Sequence, residues 1–206
     1  MWLDWLRGRG EVLTAESRWV VVDVETSGLD TSSDRLIALG AVALHGARVA
    51  PGDSLELVVR QAETSSTENI LVHGVGRQAQ LAGVEPGRAA REFVRFVGRA
   101  PLLAFHAPFD RSFTKRFARR QARHRLSNPW LDLAELAPAL FPRTGCTSLD
   151  DWLAHFAIPP GTRHCAAADA FSTALLAARL LAEAQRQGAL RWGDLQSLAA
   201  SARWVK

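Results

Sequence analysis

Four carboxylates and one histidine stand out against their surroundings. They are Asp23 and Glu25 in DVETSGLD (23–30), Asp110 in FHAPFD (105–110), and His164 with Asp169 in HCAAADA (164–170). Each segment is otherwise apolar or small. A carboxylate in core-like sequence loses hydration and repels its neighbours unless something positive binds it. A pair of divalent metal ions is the simplest such partner, and two metals held by carboxylates are machinery for phosphodiester cleavage. Asp23 and Glu25 lie two apart on a β-branched run, so strand periodicity puts both side chains on one face. A hard cation such as Mg²⁺ offsets their repulsion, because it takes several oxygen ligands at once.

Asp110 follows a short apolar run and opens a helix, where the helix dipole also favours an acid. Asp169 is set among Ala166, Ala167, Ala168 and Ala170. Such small neighbours let a helix lie close against a sheet. His164 falls just before that helix, and a histidine with its ordinary pKa near neutrality suits general-base work. Taken singly, a solvent-facing strand end, a helix-capping acid and a surface histidine are ordinary readings of the three motifs. Cys165 has no second Cys/His pair at ligand spacing, which argues against zinc.

The elements that must position these residues follow from periodicity. Residues 18–25 form a β-branched run, apolar on both faces until the acids arrive, as a central covered strand requires. LIALGAVAL (36–44) and LELVV (55–59) follow after short polar connections, so the three strands form an antiparallel meander. Residues 60–85 are loop-rich, with short helices. Residues 86–98 read as a helix, with Pro86 near its start, a stripe of Ala90, Phe93, Val94 and Val97, and Gly98 at its end. PLLAF (101–105) is a short buried strand. Residues 109–124 form a helix on the stripe Phe109, Phe113 and Phe117. WLDL (130–133) is a strand or a strand–helix junction. Residues 147–158 begin with a capping-box pattern, Ser148-x-x-Asp151. Residues 165–186 form a long Ala/Leu helix, and 190–202 a last one covering an edge. Strands first, then strand–helix alternation, give an α/β fold with a mixed sheet and helices on its faces.

In order and spacing, the DxE of DVETSGLD, the FD of HAPFD and the H-x4-D of HCAAADA resemble the DEDDh, or DnaQ-like, 3′–5′ exonucleases, most of all the epsilon proofreading type of bacterial DNA polymerase III. His73-Gly74, Asp132 in WLDL and SLDDWLAHFAI are lesser echoes. The resemblance runs from about residue 18 to 185. It implies a ribonuclease H-like mixed five-stranded sheet flanked by helices. It further implies that Asp23, Glu25, Asp110 and Asp169 hold two Mg²⁺ or Mn²⁺ ions and that His164 deprotonates the attacking water. Thr26, Gly28 and Leu29 would contact the 3′-terminal nucleotide, with Leu29 wedged against its base, and His73 would lie near its sugar or base. The chain departs from the common A-H-N-A-x-F-D pattern: Phe105 and His106 stand at the His-Asn places, so His106 becomes a candidate substrate contact.

The implied reaction is release of nucleoside 5′-monophosphates from single-stranded or frayed DNA 3′ ends, in proofreading or repair, with a DNA polymerase subunit as a possible partner. An exoribonuclease of the ribonuclease T or oligoribonuclease kind shares the same five residues. A weakly active, polymerase-associated binding module is the reading from another class.

Composition agrees with an ordinary soluble protein. The chain has 206 residues and a net charge of +4, with a pI near 10.0. That length gives one substantial core, divided here into a lead-in (1–17), an exonuclease domain (18–186) and a C-terminal helical extension (187–206). Basic balance fits a polyanionic partner. Arginine dominates it, since Lys115 and Lys206 are the only lysines. Arg111, Lys115, Arg116, Arg119, Arg120, Arg123 and Arg125 crowd one helix, either tracking phosphates or forming a solvated face. Two cysteines give no disulfide framework, and no apolar run is long enough to span a bilayer. A cytoplasmic setting is therefore expected.

Overall fold

The computed structural model describes residues 14, 16–159, 161 and 165–201. His164 lies outside these residues, as do nearly all of the expected lead-in and the last five residues of the expected extension. One mixed sheet of five strands organises the chain, in the order β3-β2-β1-β4-β5. Its strands are β1 (Arg18–Thr26), β2 (Leu36–His45), β3 (Arg48–Val58), β4 (Leu102–Ala104) and β5 (Trp130–Asp132). The first three pair antiparallel. β4 joins β1 in parallel, and β5 joins β4 in parallel.

Helices cover both faces. In chain order they are α1 (Thr67–His73), α2 (Arg77–Ala82), α3 (Pro86–Val97), α4 (Ala107–Ala122), α5 (Leu133–Leu140), α6 (Leu149–His155), α7 (Ala166–Arg186) and α8 (Trp192–Ser201). Strand alternation sorts β1 between two cores. Trp19 and Val21 point into a core with α5, α6, α7 and α8. Val20, Val22 and Val24 point into a second core with α3 and α4. Asp23 and Glu25 continue the Trp19–Val21 series, so they share the α7 face. Phe93 and Phe113, each 1% exposed or less, anchor α3 and α4 on the other face, and each such burial contributes about 1.5–3 kcal/mol.

Two elements differ from the sequence reading. β3 begins at Arg48 rather than Leu55, because Val42 pairs with Ser54 and Ala43 with Ala50. Pro51, Gly52 and Asp53 are extruded between those pairs, which an edge strand tolerates because a proline there need not donate to the ladder. Arg18 holds the bulge by donating Nε to Asp53 Oδ2 at 2.7 Å. WLDL resolves as a strand–helix junction: β5 ends at Asp132, whose carboxylate caps α5 by accepting from Ala134 N. The sequence reading marked the start of α5 only as one alternative and assigned it no extent, and the helix carries Pro138 in its interior. The capping box at Ser148 and Asp151 is present as read. α8 packs on α5 and on the β5 edge, and its Trp192 stacks on Trp19 at 5.6 Å between centroids. Among the described residues, no helix is long and apolar enough to cross a membrane.

Candidate active site

β1 supplies two acids. Asp23 and Glu25 are half-buried at its C-terminal end, past the last β1–β4 ladder pair at Val21 and Leu103. α7 supplies the third, Asp169, which is 8% exposed. One oxygen from each of Asp23, Glu25 and Asp169 lies within 4.8 Å of the others.

A gap in β2 makes this approach possible. Gly40 is the ladder partner of Asp23 on one side and of Glu56 on the other. A Cβ at Gly40 would fall 1.9 Å from the Ala166 carbonyl oxygen and 2.6 Å from Ala167 N, so the first turn of α7 lies directly on the strand. Cys165 Sγ contacts Glu56 Oε1 at 3.5 Å on one flank, and Asp169 meets the β1 acids on the other. The sequence reading credited the alanines and missed Gly40, although a lone glycine inside LIALGAVAL is the usual mark of close backbone approach.

Asp110 arrives from the opposite side, on the first turn of α4. It stands outside the three-carboxylate group just described. Its carboxylate accepts from the Val24 backbone N–H, and burial, with added repulsion from Asp132 and Glu25, holds its pKa well above the carboxylate range. Thr114 Oγ1 donates to the Asp110 carbonyl at 2.7 Å. Phe109 and Phe113 pack at 4.9 Å and fix the turn that carries it.

Burial pushes Glu25 up to about 7, with Asp169 repulsion adding to it. Glu25 therefore holds its proton close to neutral pH unless positive charge displaces it. The donor set is all carboxylate oxygen, which suits a hard divalent cation.

The substrate-contact candidates occupy distinct places. Leu29 is 85% exposed at the tip of the β1–β2 loop. That loop is internally braced. Thr26 Oγ1 donates to Gly28 O at 2.7 Å, Ser27 Oγ and Asp30 N each donate to Asp34 at 2.9 Å, and Asn69 Nδ2 of α1 donates to Ser27 O at 2.7 Å. A Cβ at Gly28 would fall 2.4 Å from Asp34 Oδ2, so a side chain there would displace the carboxylate that ties the loop together. The guanidinium of Arg116 on α4 donates to the Thr31 and Asp34 carbonyls while lying 4.8 Å over the Phe113 ring. One member of the basic helix is thus a loop brace, a role the sequence did not reveal. His73 is 1% exposed, and its Nδ1 accepts from Val75 N at 3.0 Å. His106 is exposed in the left-handed region, φ 65° and ψ 48°, as the N-cap of α4. Its N–H donates to Asp132 Oδ1 at 3.0 Å.

A family model described as Exonuclease (RNase_T) matches residues 20–177. The chain belongs to the exonuclease family. Among curated proteins in similarity to it, the DNA polymerase III subunit epsilon-like protein of Rhodobacter capsulatus is 30% identical over 199 residues. That alignment covers 92% of this chain and 28% of the relative. The DNA polymerase III PolC-type protein of Latilactobacillus sakei is 31% identical over 182 residues, covering 85% of this chain and 12% of the relative. This family member therefore spans little more than a quarter of the first relative and about an eighth of the second. Two solved structures share the fold. Exonuclease I of E. coli with a dT13 oligonucleotide superposes with a TM-score of 0.69 at 20% identity, covering 83% of this chain and 42% of that one. The nuclease domain of 3′hExo, a DEDDh family member bound to rAMP, gives a TM-score of 0.69 at 16% identity, covering 81% of this chain and 92% of that one.

Proposed function

We propose that this chain is a divalent-metal-dependent 3′–5′ exonuclease acting on single-stranded or frayed DNA ends. The observation that carries the reading is the convergence of Asp23, Glu25 and Asp169 on one point, with Asp110 beside Glu25 across β1. Asp23, Glu25, Asp110 and Asp169 would hold two Mg²⁺ or Mn²⁺ ions, which would supply Lewis-acid activation of water and stabilisation of the leaving oxygen. The chain's own residues do the rest. The imidazole of His164 takes the proton of the attacking water. The water oxygen bonds to phosphorus as the bond between phosphorus and the 3′ oxygen of the penultimate nucleotide breaks. A nucleoside 5′-monophosphate leaves, and the freed 3′ oxygen takes up a proton to become the new 3′-hydroxyl. Leu29, on its braced loop, packs against the terminal base, with Thr26 and Gly28 shaping the backbone around it. His73 and His106 border the sugar or base.

DNA is the preferred substrate on the strength of the polymerase III relatives and the dT13 complex of exonuclease I. The relatives' names also support a polymerase subunit as partner, and a cytoplasmic setting goes with that role. The rAMP complex of the 3′hExo domain favours the second reading, an exoribonuclease.

The test is a denaturing-gel assay on matched 5′-labelled single-stranded DNA and RNA with Mg²⁺ or Mn²⁺, with EDTA as control. A metal-dependent ladder receding from the 3′ end is expected, faster on DNA. Asp23→Ala should nearly abolish it, and near-normal turnover in that variant would sink the site assignment. His164→Ala should slow the chemical step while leaving metal and strand binding in place.

A further inference from the structure

We propose that a second, arginine-lined groove carries the upstream phosphates of the strand whose 3′ end lies at the carboxylates. The groove lies on the α3/α4 face of the sheet, opposite to α7, and its volume is about 180 Å³. Arg35, Arg60, Arg116 and Arg120 line it, and Leu36 forms part of its floor. Asp34 is the acid among its lining residues, and that carboxylate already accepts from Ser27 Oγ and Asp30 N.

Two of the guanidiniums are spent on structure. Arg116 braces the β1–β2 loop, and Arg35 Nη1 donates to Glu63 O at 2.8 Å. Arg60 and Arg120 are exposed at the rim. The basic character continues along α4. Arg116 is pushed below its usual range by burial and then by Arg120. Lys115 is pushed down by burial and then by Arg111 and Arg125. A helix that crowds its own cations is relieved by a polyanion, and guanidinium is the group best matched to phosphate.

Continuity with the carboxylates selects the strand as occupant. Leu36 is the ladder partner of Thr26, the residue after Glu25. Asp23, Glu25 and Asp169 lie on the other face of the sheet, and Asp110 makes the link, because it stands on the helix whose Arg116 and Arg120 line the groove. Those two arginines follow Asp110 by about 9 and 15 Å of helical rise, which roughly three to four nucleotides cross at about 3.4 Å each. The strand therefore passes over the braced loop that displays Leu29 and enters the groove beyond it.

This inference rests on the exonuclease reading, and the experiment separates the two. Anisotropy of a labelled single strand of about a dozen nucleotides, titrated in EDTA at several salt concentrations, reads the groove without turnover. Arg60→Gln combined with Arg120→Gln should weaken binding roughly tenfold at low salt and make the salt slope shallower by about 1.4, since each lost contact to a single strand removes roughly 0.7. Arg120→Glu should weaken it further. In Mn²⁺ the double variant should raise KM for the long strand and leave kcat alone, and hydrolysis of a nitrophenyl ester of a nucleoside 5′-monophosphate, too short to reach the groove, should be untouched. A double variant with normal thermal stability and wild-type affinity and slope would overturn the groove. Wild-type protein inert on both substrates would strike the exonuclease reading instead, while the salt slopes would still decide the groove.

Discussion

Gly40 sits directly across the ladder from Asp23, and the space its missing side chain leaves is filled by the backbone of Ala166 and Ala167. The start of α7 and the acidic end of β1 are therefore placed by one contact in which neither partner has a side chain to yield. Gly40→Ala puts a methyl 1.9 Å from a carbonyl oxygen. Backbone must move, and overpacking of this kind costs about 1–3 kcal/mol. A shift of about 1 Å at Asp169 is enough to cost a hundredfold in rate. The variant should unfold at a lower temperature and lose activity out of proportion to that loss. Wild-type melting together with wild-type turnover would show that α7 does not depend on this contact.

The raised pKa of Glu25 makes stability depend on pH and metal. Its folded value of about 7 lies above the ordinary 4.5. The folded state therefore holds the proton more tightly than the unfolded chain. Its contribution is fully present below the ordinary value and is lost as pH rises through about 7. Screening at a site that is partly open to solvent brings the loss to about 2 kcal/mol. Metal-free protein should melt at a lower temperature at pH 8 than at pH 5. Mn²⁺ at pH 8 should restore the difference, and its affinity should fall as the pH is lowered through 7, because ligands must be deprotonated to bind. Calorimetry with and without EDTA across this range checks both signs. A melting temperature that rises from pH 5 to 8 without metal would contradict the assignment.

Arg116 couples α4 to the loop that displays Leu29. Its two carbonyl acceptors, Thr31 and Asp34, lie on the far arm of that loop, while Phe113 supports the guanidinium from below. Arg116→Gln shortens the arm and removes the fork, so the loop loses its tie to the helix. Amide exchange over residues 27–35 should accelerate, KM for oligonucleotides should rise several-fold, and kcat should change little. Arg116→Lys should rescue poorly, because one ammonium cannot serve two carbonyls with a fork's geometry. Unchanged exchange in Arg116→Gln would remove the bracing role.

Much of this architecture was readable from side-chain periodicity. β1 announces itself by an unbroken apolar run, and α3 and α4 by stripes at helical spacing. The two-residue spacing of Asp23 and Glu25 puts both on one face by strand periodicity alone, and the alanines around Asp169 mark a helix that can approach closely. Unreadable were the features set by tertiary context. Nothing local distinguishes Arg116 from its basic neighbours on α4, since its role depends on a loop more than 80 residues away. Pro51 and Gly52 look like strand breakers and become an extruded bulge only because β3 is an edge. Gly40 was visible but silent, because a glycine in a strand does not say what backbone will approach it.

Asp132 is the residue whose removal best tests how Asp110 is placed. It ends β5 opposite Ala104, the last residue of β4. Its Oδ1 accepts both Ala134 N and His106 N at 3.0 Å. Burial raises its pKa against the opposing pull of the Ala134, Ala107 and His106 N–H groups. His106 stands in the left-handed region, at a cost of about 1–3 kcal/mol for a residue with a side chain, and Asp132 helps to hold it there. α4 begins at the next residue, and Asp110 is on its first turn. Asp132→Ala should cost about 1 kcal/mol as a lost helix cap. It should also let the His106 turn relax, carrying Asp110 away from the Val24 N–H. The expected signature is a kcat at least tenfold lower with KM little changed. Asp132→Asn, which keeps an acceptor oxygen, should recover much of the loss. Equal activity in the alanine and asparagine variants would mean that the hydrogen bonds to His106 and Ala134 do not position Asp110.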